Sequence, residues 1–249
     1  MKRIGIVAWK VGENSFGVTI PYLEYLQRFG SPEFILPWQP IDETLDLVVL
    51  SGGPDVDPLR YGEFPGLYTS RSDPHKEYFD KVLLPLYIDA GVPIFGICRG
   101  MQSLAIHFGG RLHQNMYHET SHPDKRFEKV HNLQINERIA MKLGIISKTK
   151  NSKKYEVNSL HHQILDVKTI PDSLKVIATY PACPWGGIEA IAHRELPIAG
   201  VQYHPEELCI DSFSDNIIQY LLHNKKSLLT ETETIIESEY IPEIQEENG

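Results

Sequence analysis

The sequence predicts an α/β fold with a mostly parallel central sheet flanked by helices. Three observations lead there. Short apolar runs alternate with helix-like segments along most of the chain. Two of those runs, residues 45–51 and 92–97, are almost continuously apolar, the pattern of strands buried on both faces. The second runs directly into Gly96-Ile97-Cys98-Arg99-Gly100 and a helix-like segment. Strands alternating with helices imply βαβ units and parallel pairing.

Taken in order, residues 2–8 read as a first strand. Residues 19–29 read as a helix, with Ile20, Leu23, Leu26 and Phe29 at helical spacing. Residues 33–36 form a short strand and 45–51 a buried one. Residues 73–90 read as a helix, with Asp73 as N-cap and Pro74 at the first helical position. A buried strand at 92–97 leads into a helix from about Arg99 to Phe108. The pattern then weakens until about Tyr155, and the polar stretch 115–129 reads as a loop that covers a site. Further strands are expected at 174–178, 187–192 and 198–202. A closing helix at 211–222 places Phe213, Ile217, Ile218 and Leu221 on one face. After Lys226 the isoleucines 235, 236, 241 and 244 make no core-length pattern. One domain, residues 1–226, is therefore expected, followed by a mobile acidic tail, residues 227–249.

The 249 residues, 41% of them apolar, suffice for one sizeable core. Of the formal charge of -9, the tail carries -7 through seven glutamates, which leaves the body nearly neutral at -2. No phosphate-neutralising surface is indicated, which argues against a nucleic-acid partner. No apolar run approaches 18 residues, and Met1-Lys2-Arg3-Ile4 begins no signal peptide, so no membrane partner and a cytoplasmic location are expected. Three cysteines (Cys98, Cys183, Cys209) without C-x-x-C spacing predict neither a disulfide framework nor a zinc site.

The two glycines around Cys98 permit the sharp strand-to-helix turn that lifts a nucleophile above a sheet edge, and the helix N-terminus beyond it favours a thiolate. A nucleophilic cysteine needs a base, and the base an orienting group. Val201-Gln202-Tyr203-His204-Pro205-Glu206 delivers both: an apolar strand brings His204 to the edge, and Glu206 is near enough to hold its ring. The remaining histidines of the body, His107, His113, His131, His161, His162 and His193, read mostly as surface or loop groups. A third element, Val48-Val49-Leu50-Ser51-Gly52-Gly53-Pro54-Asp55, ends a buried strand in a turn whose backbone N–H groups can face a developing oxyanion.

Together these stretches resemble a class I glutamine amidotransferase-like domain, and within it the gamma-glutamyl hydrolase group, peptidase C26. The similarity rests on residues 51–56, 61–63, 95–102, 109–114, 157–163 and 200–206, in the family's order, and spans about residues 1 to 224. It implies a flavodoxin-like fold with the site at the carboxyl edge of the sheet. It also implies roles. Cys98 attacks the gamma-carbonyl of a glutamyl group, His204 moves the proton and Glu206 orients His204. The N–H groups of Gly53 and Arg99 form an oxyanion hole. Gln102 helps hold the glutamyl end, and Ser159 and His161 belong to a loop that lines the pocket. The implied activity is hydrolysis of a gamma-glutamyl amide through a thioester, with no cofactor and no metal. The alternative is a glutaminase subunit that delivers ammonia to a synthetase partner; self-association as a homodimer is left open. Departures from the group's pattern at Asp57, Arg71-Ser72-Asp73 and Tyr203 bear on the leaving amine and spare the cysteine and histidine motifs.

Overall fold

A computed structural model describes residues 1–13, 15–116, 130–144, 155–208 and 211–229. Its strands are β1 (Arg3–Val7), β2 (Trp9–Gly12), β3 (Ser15–Gly17), β4 (Ser31–Ile35), β5 (Leu47–Leu50), β6 (Ile94–Ile97), β7 (Leu112–His113), β8 (His131–Ile135), β9 (Tyr155–Val157), β10 (Ile164–Leu165), β11 (Leu174–Thr179), β12 (Ile188–His193) and β13 (Ile198–Val201). Its helices are α1 (Ile20–Gln27), α2 (Pro74–Tyr78), α3 (Leu84–Asp89), α4 (Arg99–His107), α5 (Glu137–Lys142) and α6 (Ser212–Asn224).

Among the described residues nine strands form one sheet, in the order β4-β1-β5-β6-β13-β12-β11-β8-β9. From β4 to β13 every pair is parallel. From β13 to β9 every pair is antiparallel. The parallel core is the flavodoxin-like α/β arrangement. β5, β6 and β13 are buried along their whole length. Successive side chains point to opposite faces: Ile94 joins a core with Val48, Phe79, Leu84 and Leu104, while Phe95 and Ile97 join one with Ile6, Leu26, Phe213 and Ile217.

The helix expected over 73–90 begins as anticipated, with the Asp73 carboxylate accepting from the N–H groups of His75 and Lys76. It is not one regular helix. A π turn at Phe79–Leu83 separates α2 from α3. Pro85 explains this: it has no N–H, and its ring excludes the carbonyl four residues earlier. Asp211 caps α6 in the same way as Asp73 caps α2. The weak stretch between Gly109 and about Tyr155 does hold structure, namely β7, β8 and α5, and β9 begins at its end.

The first three residues of the expected tail pack against the body. Ser227, Leu228 and Leu229 are buried, and the two leucines join the core under α6. Apolar residues that follow a helix directly can fold back over it, and the glutamates begin only at Glu231. Residues 230–249, residues 117–129 of the expected cover loop and Cys209 lie outside the described residues. Among the described residues no helix is long and apolar enough to cross a membrane.

Candidate active site

β6 ends at Ile97, and α4 begins at Arg99. Cys98 between them has φ 51° and ψ -109°, a conformation costly for a residue with a Cβ, about 1–3 kcal/mol. Its surroundings enforce it. The Cys98 N–H donates to the Val201 carbonyl at 2.8 Å, and its own carbonyl accepts from Gln102 N at 3.1 Å. A Cβ on Gly96 would stand 2.6 Å from Met101 N, and one on Gly100 would stand 2.1 Å from the Leu50 carbonyl oxygen. Both glycines are thus needed for α4 to start hard against β5 and β6. The turn presents Cys98 to a cavity of about 310 Å³ that Trp9, Tyr22, Gly53, Leu160, His204 and Glu207 also line.

His204 reaches the same cavity from the end of β13, the strand beside β6. The Asn158 side chain holds its backbone at both ends: Oδ1 accepts from His204 N, and Nδ2 donates to the His204 carbonyl, each at 2.9 Å. The His204 ring meets Glu206 through Nδ1 and Oε1, 2.6 Å apart. Burial by itself pulls the imidazolium down. The Cys98 and Glu206 charges outweigh it and hold His204 well above the ordinary histidine range. Gly52 makes room for the ring, since a Cβ there would lie 2.8 Å from His204 Cε1.

The turn after β5 forms the third wall. Gly53 has φ 146°, outside the range of ordinary side chains. The Gly52 N–H donates to the Tyr22 hydroxyl at 2.8 Å. Burial first, then the Glu206 and Cys98 charges, hold the Tyr22 phenol well above its ordinary value, so it stays neutral. Below the turn, Lys76 Nζ donates to Ser51 O at 3.0 Å and Ser51 Oγ at 2.8 Å. The Arg99 side chain points away from the cavity. Its guanidinium donates to Pro54 O, Asp80 Oδ2 and Glu77 Oε1, so only its backbone faces the turn of Cys98. Asp80 is buried, which raises it, but Arg99 and Arg60 bring its carboxyl below the usual value.

Cys98, His204, Glu206 and Gly53 thus share one cavity wall. Three expected binding residues do not line it. Gln102 is buried behind Cys98, and its amide donates to Gln163 O at 3.1 Å and Gln202 Oε1 at 3.2 Å. Ser159 and His161 flank Leu160, which does line the cavity; His161 Nδ1 lies 2.9 Å from Gln163 O. His131, His161 and His193 are buried, not surface groups. His131 pairs with Glu189 inside the antiparallel half at 3.2 Å. Tyr203 turns away to Asp211 and Ser214. The sequence reading missed Tyr22, Lys76, Asn158 and Gln202, whose Nε2 stands 3.7 Å from Cys98 Sγ. Among the described residues no three His, Cys, Asp or Glu side chains are placed to hold a metal ion. A larger hollow of about 610 Å³ beside β4 carries no thiol or imidazole.

A cysteine on a strand-to-helix turn at the carboxyl edge of a parallel core defines an α/β protein with a nucleophile-elbow geometry. The fold matches a glutamine amidotransferase from Methylobacillus flagellatus at a TM-score of 0.52 and 17% identity, covering 83% of this chain and 71% of that one. It also matches a candidate GMP synthase protein from Thermoplasma acidophilum at a TM-score of 0.56 and 21% identity, covering 89% and 92%. The peptidase C26 family model matches residues 9–206, and the chain belongs to that family. Among relatives, it is 32% identical over 200 residues to the candidate glutamine amidotransferase-like protein YvdE of Lactococcus lactis, covering 74% of this chain and 78% of that protein. It is 31% identical over 174 residues to the gamma-glutamyl-gamma-aminobutyrate hydrolase of Escherichia coli O157:H7, covering 65% and 64%.

Proposed function

We propose that the protein hydrolyses a gamma-glutamyl amide, with Cys98, His204 and Glu206 as its catalytic residues. The observation that carries this reading is their convergence on one cavity, with His204 held between the Cys98 turn and Glu206. His204 takes the Cys98 thiol proton, and Cys98 Sγ attacks the gamma-carbonyl. The carbonyl π pair moves to oxygen, which becomes the oxyanion that the Gly53 and Arg99 N–H groups face. Collapse expels the amine, protonated by His204, and leaves a gamma-glutamyl thioester. Water, deprotonated by His204, then attacks the thioester and releases glutamate and the Cys98 thiol. Glu206 keeps the His204 ring in the tautomer and orientation both steps need. The relative named as a gamma-glutamyl-gamma-aminobutyrate hydrolase supports the substrate class and does not identify the amine.

The test is turnover by the isolated protein on glutamine and a panel of gamma-glutamyl amides, following released glutamate, beside the Cys98→Ala variant. Turnover of an amide in preference to glutamine, lost by about 10⁴-fold or more in Cys98→Ala, is the expected result. Undiminished turnover in that variant would sink the mechanism.

A further inference from the structure

We propose that Lys76 is a positioning residue of the Cys98 site: its buried ammonium holds the Ser51–Gly53 turn from below and supplies the positive charge beneath the turn that meets the oxyanion. This deepens the reading of Cys98 as the nucleophile and rests on it.

Lys76 is 1% exposed, and its stem fills the space that a side chain on Gly53 would need, with Cε 2.7 Å from where that Cβ would stand. Nζ donates to both oxygens of Ser51, and Ser51 Oγ in turn donates to Val7 O at 2.9 Å. Nζ also lies 4.9 Å from the centre of the Trp9 ring. Trp9 and Gly53 both line the cavity, so Lys76 is the charge directly behind that wall.

The surrounding charges do not match one another. Arg60 and Arg99 are answered by Glu77 and Asp80 in a buried cluster. Lys76 is a third cation there, and among the described residues no carboxylate stands at ion-pair distance from it. A buried ammonium without a counter-charge is costly. A neutral donor could hold Ser51 equally well, so hydrogen bonding alone does not account for the charge. The charged groups that face Lys76 are Arg99 from α4, Asp80 and Asp73 from its own helical segment, and Cys98 at the turn. Burial first, then Arg99, bring it down to about 7, while Asp80, Asp73 and a negative Cys98 act to keep it protonated. Asp80 is already paired with Arg60 and Arg99, and Asp73 caps α2, so the charge assigned to answer Lys76 in turnover is the negative one that forms at Cys98 and on the substrate oxygen.

Protonation has opposite effects on catalysis and stability. The positive charge is present below about 7, so its contribution to turnover is lost as pH rises through that value. An unfolded lysine keeps its proton to about 10.5, so this group's contribution to folding stability grows as pH rises from about 7 toward 10.5.

The experiment compares the wild type with Lys76→Met and Lys76→Gln on gamma-glutamyl-p-nitroanilide, with thermal unfolding of each and Cys98→Ala alongside. The methionine variant is expected to lose about 10- to 100-fold in kcat, less than removal of an oxyanion donor usually costs at its upper end. KM should stay within about threefold, and the melting temperature at pH 6 should hold or rise. Lys76→Gln, which keeps a donor but no charge, should be equally impaired. The wild-type decline of kcat/KM through pH 7 should vanish in both. A kcat unchanged in Lys76→Met, rescue by Lys76→Gln, or a parallel fall of kcat and melting temperature would overturn the proposal. If neither variant folds, a wild-type profile flat from about pH 6 to 9 overturns it, and a decline near 7 supports it. Full turnover in Cys98→Ala would instead remove the underlying reading.

Discussion

Between β4 and β13 the strands run parallel, and β5, β6 and β13 are buried along their whole length; between β13 and β9 they run antiparallel, and β8 alternates buried and exposed. The parallel half supplies Cys98 and the glycine turn. Its sequence requirement is local, since Gly96 and Gly100 flank the residue they serve, although the Leu50 carbonyl that Gly100 packs against and the Val201 carbonyl that accepts from Cys98 N come from other strands. The antiparallel half supplies none of the three proposed catalytic residues. It holds one in place: Asn158, just past β9, clamps the His204 backbone, and Glu189 O on β12 accepts from Gln202 N at 2.8 Å. The difference teaches that the Cys98 turn is marked in the chain by its flanking glycines, whereas the clamp that places His204 is marked only by packing. His204, on the border, depends on both halves.

That contrast can be broken or sharpened experimentally. The largest effect is expected at the border itself. His204→Ala should reduce turnover by about 10²- to 10⁴-fold, with Glu206→Gln milder because it orients the ring and moves no proton. Equal or reversed losses, measured as kcat/KM, would show that the two roles are misassigned. Next comes the closing of the antiparallel half. Ser227 Oγ donates to His193 O on β12, and Leu228 and Leu229 are buried in the core. A chain ending at residue 226 should lose roughly 4 kcal/mol of stability for two buried leucines. Denaturant midpoints of chains ending at 226 and at 229 test this; equal midpoints would restore the earlier boundary.

A smaller effect is expected from Asn158→Ala, which strips the buried His204 N–H of its acceptor and leaves the His204 carbonyl only the Glu207 N–H, at about 1–3 kcal/mol. Turnover should fall roughly in step, although Asn158 touches no reacting atom. Unchanged kinetics would confine the antiparallel half to stability. The smallest effect belongs to Gln134→Ala, on an exposed position of β8. It should change stability by no more than about 0.5 kcal/mol and leave kcat alone; a clear loss of turnover would mean that the whole outer sheet is coupled to the site.

The elbow was legible because its geometry demands particular residues at fixed spacing, and glycine is one that sequence displays openly. The His204 motif was legible for the same reason, with Pro205 and Glu206 beside it. Tyr22 was not: in the pattern Ile20, Leu23, Leu26, Phe29 it reads as another member of an amphipathic helix, and only the approach of Gly52 gives its hydroxyl a task. Lys76 reads as an exposed helix residue until the Asp73 cap and the Gly53 turn enclose it. Gln102 was placed on the right helix, but that its amide donates to Gln163 O and Gln202 Oε1 was not legible, because helical spacing does not say which polar group an amide will find. The outer strands escaped notice because β9 is three residues long and β8 opens on a histidine and an asparagine.

The neighbouring strands β6 and β13 pair in register from Ile94 with Ile198 to Ile97 with Val201, yet their segments stand about a hundred positions apart in the chain. A chain emerging from a ribosome therefore makes its thiol long before its imidazole. Until residues 198–206 arrive, β6 has an open edge, and Cys98 lacks both the Val201 carbonyl that fixes its turn and the ring that would take its proton. Under the function proposed above, the growing chain holds its nucleophile without its base, and the final strand to enter the parallel core both closes that edge and completes the proposed site.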